Sequence, residues 1–283
     1  MQAGAVMQNA EDAVRDHARE VAPWINRLAR LGFFAKAVLY ATVGVLASAA
    51  ALRLGGSPAT GSLGAMATLV AAPFGRVLLW TIALGLFGYA AWRVIYAIVD
   101  PERKGRDAKG IVLRVSSLVT AGIHVALGVS ALKLALGDHT AAQDGRASQQ
   151  WTARVLTTPG GELVLWGIAA GFVAYGAYQV WRAWRAKLDR GLALGHISPT
   201  ARRALIHTSR LGIAARGIVF GTVGVLLGRA ALHHDPRHAR GTKQALGTLF
   251  DLGRGPFIVV AVGLIAYGLY QLINARYRRI EVA

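Results

Sequence analysis

Three basic residues lie well inside long apolar stretches of this 283-residue chain, with no Asp or Glu in the same stretches. They are Lys36, Arg93 and Arg216. Charged side chains placed this way are costly in lipid and often mark a binding site. One interpretation is an inward cationic ring that holds an anion, a lipid phosphate or a substrate carboxylate. In the other, the side chains snorkel to anionic headgroups, because Lys36 and Arg216 lie only about 7 Å into their helices at about 1.5 Å per residue.

Three tyrosines recur with an aromatic residue three positions on and a polar residue four positions on. The pairs are Tyr89 with Arg93, Tyr175 with Gln179, and Tyr267 with Gln271. A glycine four residues before each tyrosine would let another helix approach closely, so one interpretation is helix packing and an aromatic belt at the membrane surface. The other is that these polar ends line a shared vestibule on the cytoplasmic side.

Histidines offer two further candidates for chemistry. His124 lies within an apolar stretch, where it could relay protons or bind a cofactor, or could simply be hydrogen-bonded within a helix bundle. His233, His234 and His238 could bind a divalent metal. Pro236 argues against the regular helix that would align His234 with His238, and nearby arginines repel cations. We therefore expect neither a metal nor a cofactor.

Six apolar stretches carry or flank these side chains, and each is long enough to cross a hydrocarbon core of about 30 Å. Hydrophobic residues make up 54% of the chain and charged residues only 16%, whereas soluble domains have about 25% charged residues. We therefore predict an all-α integral membrane protein with six transmembrane helices. The predicted spans are Leu31–Leu52, Val77–Val99, Val115–Leu136, Leu163–Trp181, Leu211–Leu232 and Phe257–Ile273.

The six spans form three copies of one two-helix unit. The second helix of each copy carries the Gly-x-x-small-Tyr motif, and the first carries matching residues at i, i+4 and i+8, on one helix face. These triplets are Lys36, Tyr40 and Gly44; Thr120, His124 and Gly128; and Arg216, Phe220 and Gly224. Between the paired helices, short amphipathic helices are predicted at Ser62–Val70, Ser148–Leu156 and Thr242–Phe250.

The repeats divide the chain into four parts. Residues 1–27 are a cytoplasmic N-terminal segment that could form an interfacial helix, 28–110 are repeat 1, 111–200 are repeat 2, and 201–283 are repeat 3 with a basic tail. Each unit crosses the membrane twice, so all three enter from the same side. We therefore predict parallel helical-hairpin repeats arranged with pseudo-threefold symmetry about the membrane normal.

The placement of charge indicates the partner and the orientation. The formal net charge is +18, but the basic residues lie between apolar stretches and not on one continuous face, which favours a membrane over nucleic acid as the partner. Segments on the side of the termini hold 19 Lys and Arg, against ten in the alternate loops and adjoining helix ends. We therefore predict cytoplasmic termini, with anionic lipids at that face.

Three further motifs carry a family resemblance. They are Arg30-Leu31-Gly32 with Arg210-Leu211-Gly212 at the first helices, the turn Pro73-Phe74-Gly75-Arg76, and the Gly-x-x-Gly-Tyr second helix. With these the chain resembles a bacterial membrane protein family catalogued as domain of unknown function number 1206, over about residues 28 to 278. The middle repeat departs most from the pattern. The resemblance implies three tandem two-helix repeats in a bacterial inner membrane, and it carries no activity.

Catalytic signatures are missing from the sequence. It contains no phosphate-cradling Gly loop, Gly-x-Ser-x-Gly, His-Glu-x-x-His or paired intramembrane Asp, and no cysteine. We therefore expect a non-enzymatic protein with a structural or accessory role that binds lipid or a partner, including a further copy of itself. The alternative is a small transporter or channel with a central cationic cavity for an anionic ligand.

Overall fold

A computed structural model describes residues 2–52, 61–99, 108–138, 146–185, 192, 197–239 and 241–278, with side chains from residue 26 onward apart from a few near helix ends. Within these residues the structure is helical except for one antiparallel β-bridge between Leu192 and Arg278. The helices are α1 (Gln2–Leu52), α2 (Ser62–Val70), α3 (Gly75–Val99), α4 (Ala108–Ala135), α5 (Arg146–Leu156), α6 (Gly161–Arg185), α7 (Pro199–Leu232), a 3-10 turn (Pro236–His238), α8 (Gly241–Asp251) and α9 (Arg254–Tyr277).

The prediction of six membrane-spanning helices is confirmed. Among the described residues, six helices are long and apolar enough to cross a membrane, namely α1 from Asn26 onward, α3, α4, α6, α7 and α9. Most extend beyond the predicted apolar stretch. For example, α7 begins well before Leu211, where the side chain of Ser198 accepts a hydrogen bond from the amide of Ala201 and Pro199 takes the first helical position. Likewise, α1 continues through Pro23, which lacks only one helical N–H donor.

The three short helices predicted within the hairpins are also confirmed, as α2, α5 and α8. They lie at the end of the bundle away from the termini, which we call the hairpin side; the opposite end is the terminal side. Two of the turns that follow require glycine. A Cβ at Gly75 would collide with the carbonyl oxygen of Leu69, and one at Gly161 with that of Val155. The next spanning helix can therefore start directly against the short helix.

Neighbouring repeats pack through one type of interface, which occurs three times. The second helix of one repeat lies against the first helix of the next: α3 on α4, α6 on α7, and α9 on α1. The glycine that ends each triplet faces the preceding repeat. The contacts are Gly128 with Phe87, Gly224 with Val173, and Gly44 with Ile265. Because the three partners occupy the same repeat position, the three interfaces are equivalent at this contact.

Within the repeats, two hairpins are packed and one is open. The helix α1 lies against α3, where Gly85 meets Leu31 and Ala35, and α7 lies against α9, where Gly263 meets Ala215. In the part of the chain that the structure describes, α4 and α6 do not pack along each other, and Gly171 meets nothing within 4 Å. The six helices therefore form an interrupted ring in the order α4, α3, α1, α9, α7, α6.

The contacts of the three short helices also differ between the middle repeat and the other two. The helix α2 packs on α1, α3 and α4, and α8 packs on α7 and α9, whereas α5 lies on α6 and the 3-10 turn. The opening in the middle repeat thus continues onto the hairpin side. Three repeats and three equivalent interfaces fit the predicted architecture, but the threefold axis itself stays a prediction because the third hairpin is not closed.

Apolar side chains fill the hairpin-side half of the bundle. One core joins α1, α7, α8 and α9 and includes Phe257 and Leu264. A second core joins α1, α2, α3 and α4 and includes Leu79, Leu86 and Leu134. The charged residues Lys36, Arg93 and Arg216 lie in the other half of the bundle, on the terminal side.

Arg30 links the first and last helices on the terminal side. Its Nη1 donates hydrogen bonds to the carbonyl oxygens of Ala275 and Arg276, each at 2.8 Å, and its Nε donates to Asn26 Oδ1 at 2.7 Å. The last carbonyls of a helix have no intrahelical partner and lie at the negative end of the helix dipole. The Arg30 guanidinium therefore supplies hydrogen-bond donors to carbonyl oxygens at the end of α9 and links α9 to α1.

We expect Arg30→Met to lower the free energy of unfolding by about 1–3 kcal/mol, because α9 loses hydrogen bonds to a charged donor. Chemical unfolding in a neutral detergent, followed by circular dichroism, measures this change. Arg185→Met is the control, since Arg185 is exposed at the end of α6. Equal effects of the two substitutions would show that the link to α9 contributes nothing specific.

The same substitution should have opposite effects at two equivalent glycines. A Cβ at Gly85 would lie 2.7 Å from the Leu31 carbonyl oxygen and 2.8 Å from the Ala35 side chain, whereas one at Gly171 meets open space. Overpacking typically costs about 1–3 kcal/mol, so Gly85→Ala should lower the unfolding midpoint. Gly171→Ala should leave it unchanged or raise it, because alanine favours the helix. A loss of stability in Gly171→Ala as large as in Gly85→Ala would contradict the open hairpin.

Candidate functional site

Lys36 lies inside the bundle on the face of a tyrosine ring. Its side chain is 6% exposed, and its Nζ lies 3.4 Å from the ring centroid of Tyr89 and 4.8 Å from that of Phe33. Aromatic faces carry partial negative charge and can hold a cation. His124 covers Tyr89 from α4, with the two ring centroids 4.6 Å apart. This burial favours the inward interpretation of Lys36 over snorkelling.

Arg216 is held by aromatic residues from four helices. Its Nε donates a hydrogen bond to Tyr40 Oη at 3.0 Å, and its Nη1 donates to Tyr175 Oη at 2.9 Å. Its guanidinium carbon lies 4.5 Å from the ring centroid of Phe220 and 5.1 Å from that of Tyr267. Side chains of α1, α6, α7 and α9 therefore meet at one cation.

The two cations belong to one group of side chains. Lys36 and Arg216 occupy the same repeat position, and their positive charges repel each other at short range. Arg93 and Arg278 add further repulsion. We call the group the inner cluster, and its members are Lys36, Tyr40, Tyr89, Tyr175, Arg216 and Tyr267.

Carboxylates do not balance this charge in the part of the chain that the structure describes. The described acidic side chains all lie on the hairpin side, and they are Asp138, Glu162, Asp235 and Asp251. The inner cluster lies in the terminal half. Among the described side chains, it therefore carries net positive charge that only aromatic rings, hydroxyl groups and other uncharged dipoles stabilise.

Each motif tyrosine contacts the middle triplet residue of the following repeat. The ring centroids are 4.6 Å apart for Tyr89 and His124, 5.6 Å for Tyr175 and Phe220, and 4.6 Å for Tyr267 and Tyr40. Tyr89 and Tyr267 are 6% and 5% exposed, whereas Tyr175 is 41% exposed because α4 does not cover it. These contacts agree with the packing interpretation of the three tyrosines, and the shared vestibule stays a prediction.

The polar residue four positions after each tyrosine lies on the terminal side of the cluster. Gln271 Nε2 donates to Tyr267 Oη at 2.6 Å, and Gln179 is buried beside Gly217 of α7. The guanidinium of Arg93 lies 5.7 Å from the ring centroid of Tyr89. Its buried Nε has no hydrogen-bond acceptor among the described residues, so it is a donor that a ligand could use.

Asn274 and Arg278 extend the site at the end of α9, although the repeat motif did not indicate them. Asn274 is buried; its Nδ2 donates to the carbonyl oxygen of Tyr270 at 2.7 Å, and its Oδ1 accepts from Arg278 Nη1 at 3.2 Å. The guanidinium of Arg278 lies 5.6 Å from the ring centroid of Phe33. The signal available in the sequence was spacing, because Tyr270, Asn274 and Arg278 follow at intervals of four on one helix face.

His124 is hydrogen-bonded within its own helix. Its Nδ1 lies 2.7 Å from the carbonyl oxygen of Thr120, and a carbonyl can only accept, so Nδ1 carries the proton. This bond and the ring of Tyr89 account for the burial of His124 without a bound cofactor.

The histidines of the hairpin side lie apart from the inner cluster. His234 Nε2 lies 3.1 Å from Glu162 Oε2, and the rings of His233 and His238 are 5.7 Å apart. Within the described residues, no group of three His, Cys, Asp or Glu side chains could hold a metal ion.

The inner cluster has the chemistry of an anion site. Arginine and lysine donate charge-assisted hydrogen bonds to phosphate and carboxylate groups, and tyrosine hydroxyls can donate as well. The arrangement can therefore bind a phosphate or carboxylate group.

Comparisons with known proteins agree with this architecture. The family model named Domain of Unknown Function (DUF1206) matches three segments, residues 31–100, 115–186 and 211–278, so the predicted internal repeats are confirmed. The chain is similar to the uncharacterized protein YxxB of Bacillus subtilis (strain 168), with 32% identity over 262 residues that cover 92% of this chain and 94% of that protein. No solved structure matches the chain significantly. The chain belongs to the family Domain of Unknown Function (DUF1206).

Proposed function

We propose that this protein is a non-enzymatic membrane protein that binds an anionic ligand, bearing a phosphate or carboxylate group, in the inner cluster. The observation that supports this proposal is the burial of Lys36 and the partial burial of Arg216 between the helices, without a carboxylate among the described side chains of the terminal half.

Electrostatics explains why such a cluster would attract an anion. Like charges close together in a medium of low dielectric constant repel strongly, and each has lost part of its hydration. Tyrosine rings and hydroxyls offset part of this cost. A bound anion would offset more of it and would also accept the hydrogen bond that Arg93 Nε does not make to any described residue.

The apolar cores favour binding over conduction. Towards the hairpin side, the spanning helices are joined by buried residues such as Phe257, Leu264 and Leu79. A transporter or channel would need a hydrated route past these side chains. The inner cluster lies on one side of them and can bind a ligand without such a route.

The basic segments support a location in the plasma membrane of a bacterium, with both termini in the cytoplasm. In this orientation the inner cluster lies in the cytoplasmic half of the membrane. Anionic headgroups are available at that surface, and basic residues near it attract them.

The anion proposal predicts selective loss of ligand from variants of the inner cluster. The probe is phosphatidylglycerol, compared with phosphatidylcholine of the same chain length, added to purified protein in neutral detergent and measured by native mass spectrometry. We expect Arg216→Gln and Lys36→Met each to weaken phosphatidylglycerol binding about tenfold, which corresponds to about 1.4 kcal/mol. Phosphatidylcholine binding should not change, because the lost interaction is with net negative charge.

Two matched variants give this measurement its controls. Arg216→Lys keeps the charge and should retain most of the selectivity, even if the hydrogen bonds to Tyr40 and Tyr175 are altered. Arg185→Gln removes an exposed cation from the terminal side and should change the affinity less than twofold. If Arg185→Gln weakens binding as much as Arg216→Gln, general surface charge explains the selectivity and the proposed site is wrong.

The orientation can be tested directly because the chain has no cysteine. We expect Arg237→Cys, on the hairpin side, to react with a membrane-impermeant maleimide in intact bacterial cells. Arg185→Cys, on the terminal side, should react only after the membrane is permeabilised. The reverse pattern would place the termini outside the cytoplasm.

A further inference from the structure

The middle repeat leaves an opening between α4 and α6 in the ring of helices. Residues buried between the paired helices of the other two repeats are exposed here. Val119 is 57% exposed, whereas Ala35 and Ala215 at the same repeat position are buried. Gly171 meets nothing within 4 Å, whereas Gly85 and Gly263 pack against the first helix of their own repeats.

The residues at this opening are uncharged and mostly apolar. Those from α4 lie on one face at intervals of four, and two of them, Val119 and Ile123, correspond to positions that are buried in repeats 1 and 3. The lining residues are Val115, Val119 and Ile123 from α4, and Gly171, Tyr175 and Tyr178 from α6. A surface of this kind suits a hydrocarbon chain better than water or a hydrated ion.

A cation lies directly behind the opening. Tyr175 is partly exposed, and its Oη accepts the hydrogen bond from Arg216 Nη1 at 2.9 Å. The Arg216 side chain is only half-buried. At about 1.5 Å per residue, Arg216 lies about 7 Å along α7 from Leu211, which is within reach of a headgroup from the leaflet on the terminal side. The opening is apolar and ends at the Arg216 guanidinium. It therefore suits a molecule that has acyl chains and an anionic headgroup.

We infer that the opening between α4 and α6 is the lateral entrance through which an anionic phospholipid of the surrounding bilayer reaches the inner cluster. The inference rests on the proposed anion-binding function and adds the ligand class and the route. The phosphate contacts Arg216 past Tyr175, and the acyl chains lie along the exposed faces of α4 and α6.

Charge complementarity favours a phospholipid over a second copy of this chain. A second copy in the same orientation would bring apolar side chains to the opening, but its described carboxylates lie on the hairpin side, far from the depth of Arg216. None of these described carboxylates could therefore serve as the counter-ion of Arg216. A phospholipid supplies both the hydrocarbon and the negative charge.

The absence of cysteine allows a photocrosslinking test with a matched control. Gly171→Cys and Ala170→Cys are neighbouring positions at the same depth on α6, about 100° apart around the helix, and both are exposed. Position 170 corresponds to the exposed Leu84 of α3 and Val262 of α9, so it samples the outer, lipid-facing surface. Each variant is labelled with a benzophenone thiol reagent, reconstituted into vesicles of equal parts phosphatidylglycerol and phosphatidylcholine, irradiated, and analysed by mass spectrometry.

We expect the ratio of phosphatidylglycerol to phosphatidylcholine adducts to be at least threefold higher at position 171 than at position 170. The addition of Arg216→Gln to the Gly171→Cys variant should return the ratio to that of the vesicles. Equal ratios at 171 and 170, or a predominant adduct to a second copy of the protein, would overturn the inference.

A second variant separates failure of the route from failure of the site. Gly171→Trp should fill the opening and reduce retention of phosphatidylglycerol in native mass spectrometry at least fivefold, whereas Ala170→Trp should not. If both tryptophan variants bind like the unmodified protein while Arg216→Gln does not, the lateral route is wrong and the anion site stands. If Arg216→Gln also binds normally, the anion site itself is wrong.

Discussion

A positive charge held away from water must be stabilised by its neighbours, and in this bundle tyrosine side chains do so. Nζ of Lys36 lies on the ring of Tyr89, and the guanidinium of Arg216 is shared among hydroxyl groups and rings of other helices. Because these tyrosines also form the contacts between repeats, the same side chains set both the electrostatics and the helix arrangement. A cation on an aromatic face keeps its full charge, so the site stays attractive to an anion.

Close helix approach is what lets the tyrosines reach the cations. Glycine and alanine remove side-chain bulk where the helices meet, as at Gly268, whose Cβ would lie 2.9 Å from the carbonyl oxygen of Ala37. In the middle repeat, Val119 stands where the other repeats have alanine, and Thr120 stands where they have a cation. This hairpin therefore has neither the small residue for close packing nor a charge for Tyr175, which instead contacts Arg216 of the next repeat.

Much of this architecture was predictable from the sequence. The lengths of the apolar stretches indicated the six spans, and the threefold occurrence of the Gly-x-x-small-Tyr motif indicated three hairpins. Both signals can be read from short segments of sequence, and they recur at matching positions in the three repeats. The open hairpin was not predicted. Val119 and Thr120 do depart from the residues of the other repeats, but whether such a difference opens a hairpin depends on how the helix faces pair, which periodicity does not show. For the site, spacing placed Lys36 and Arg216 on matching faces. The contacts of Tyr40 with Tyr267 and of Arg278 with Phe33 depend on the packing of α1 against α9. A pattern of neighbouring residues does not predict this packing.

That contact gives the chain an unusual order of assembly. The helix α1 is synthesised before α9, yet α9 is one of its main partners, and Arg30 donates hydrogen bonds to carbonyl oxygens near the end of α9. Until α9 is inserted, the face of α1 that carries Ala37, Ala41 and Gly44 lacks this partner. Completion of the bundle is therefore coupled to insertion of a helix that lies roughly 200 residues further along the chain.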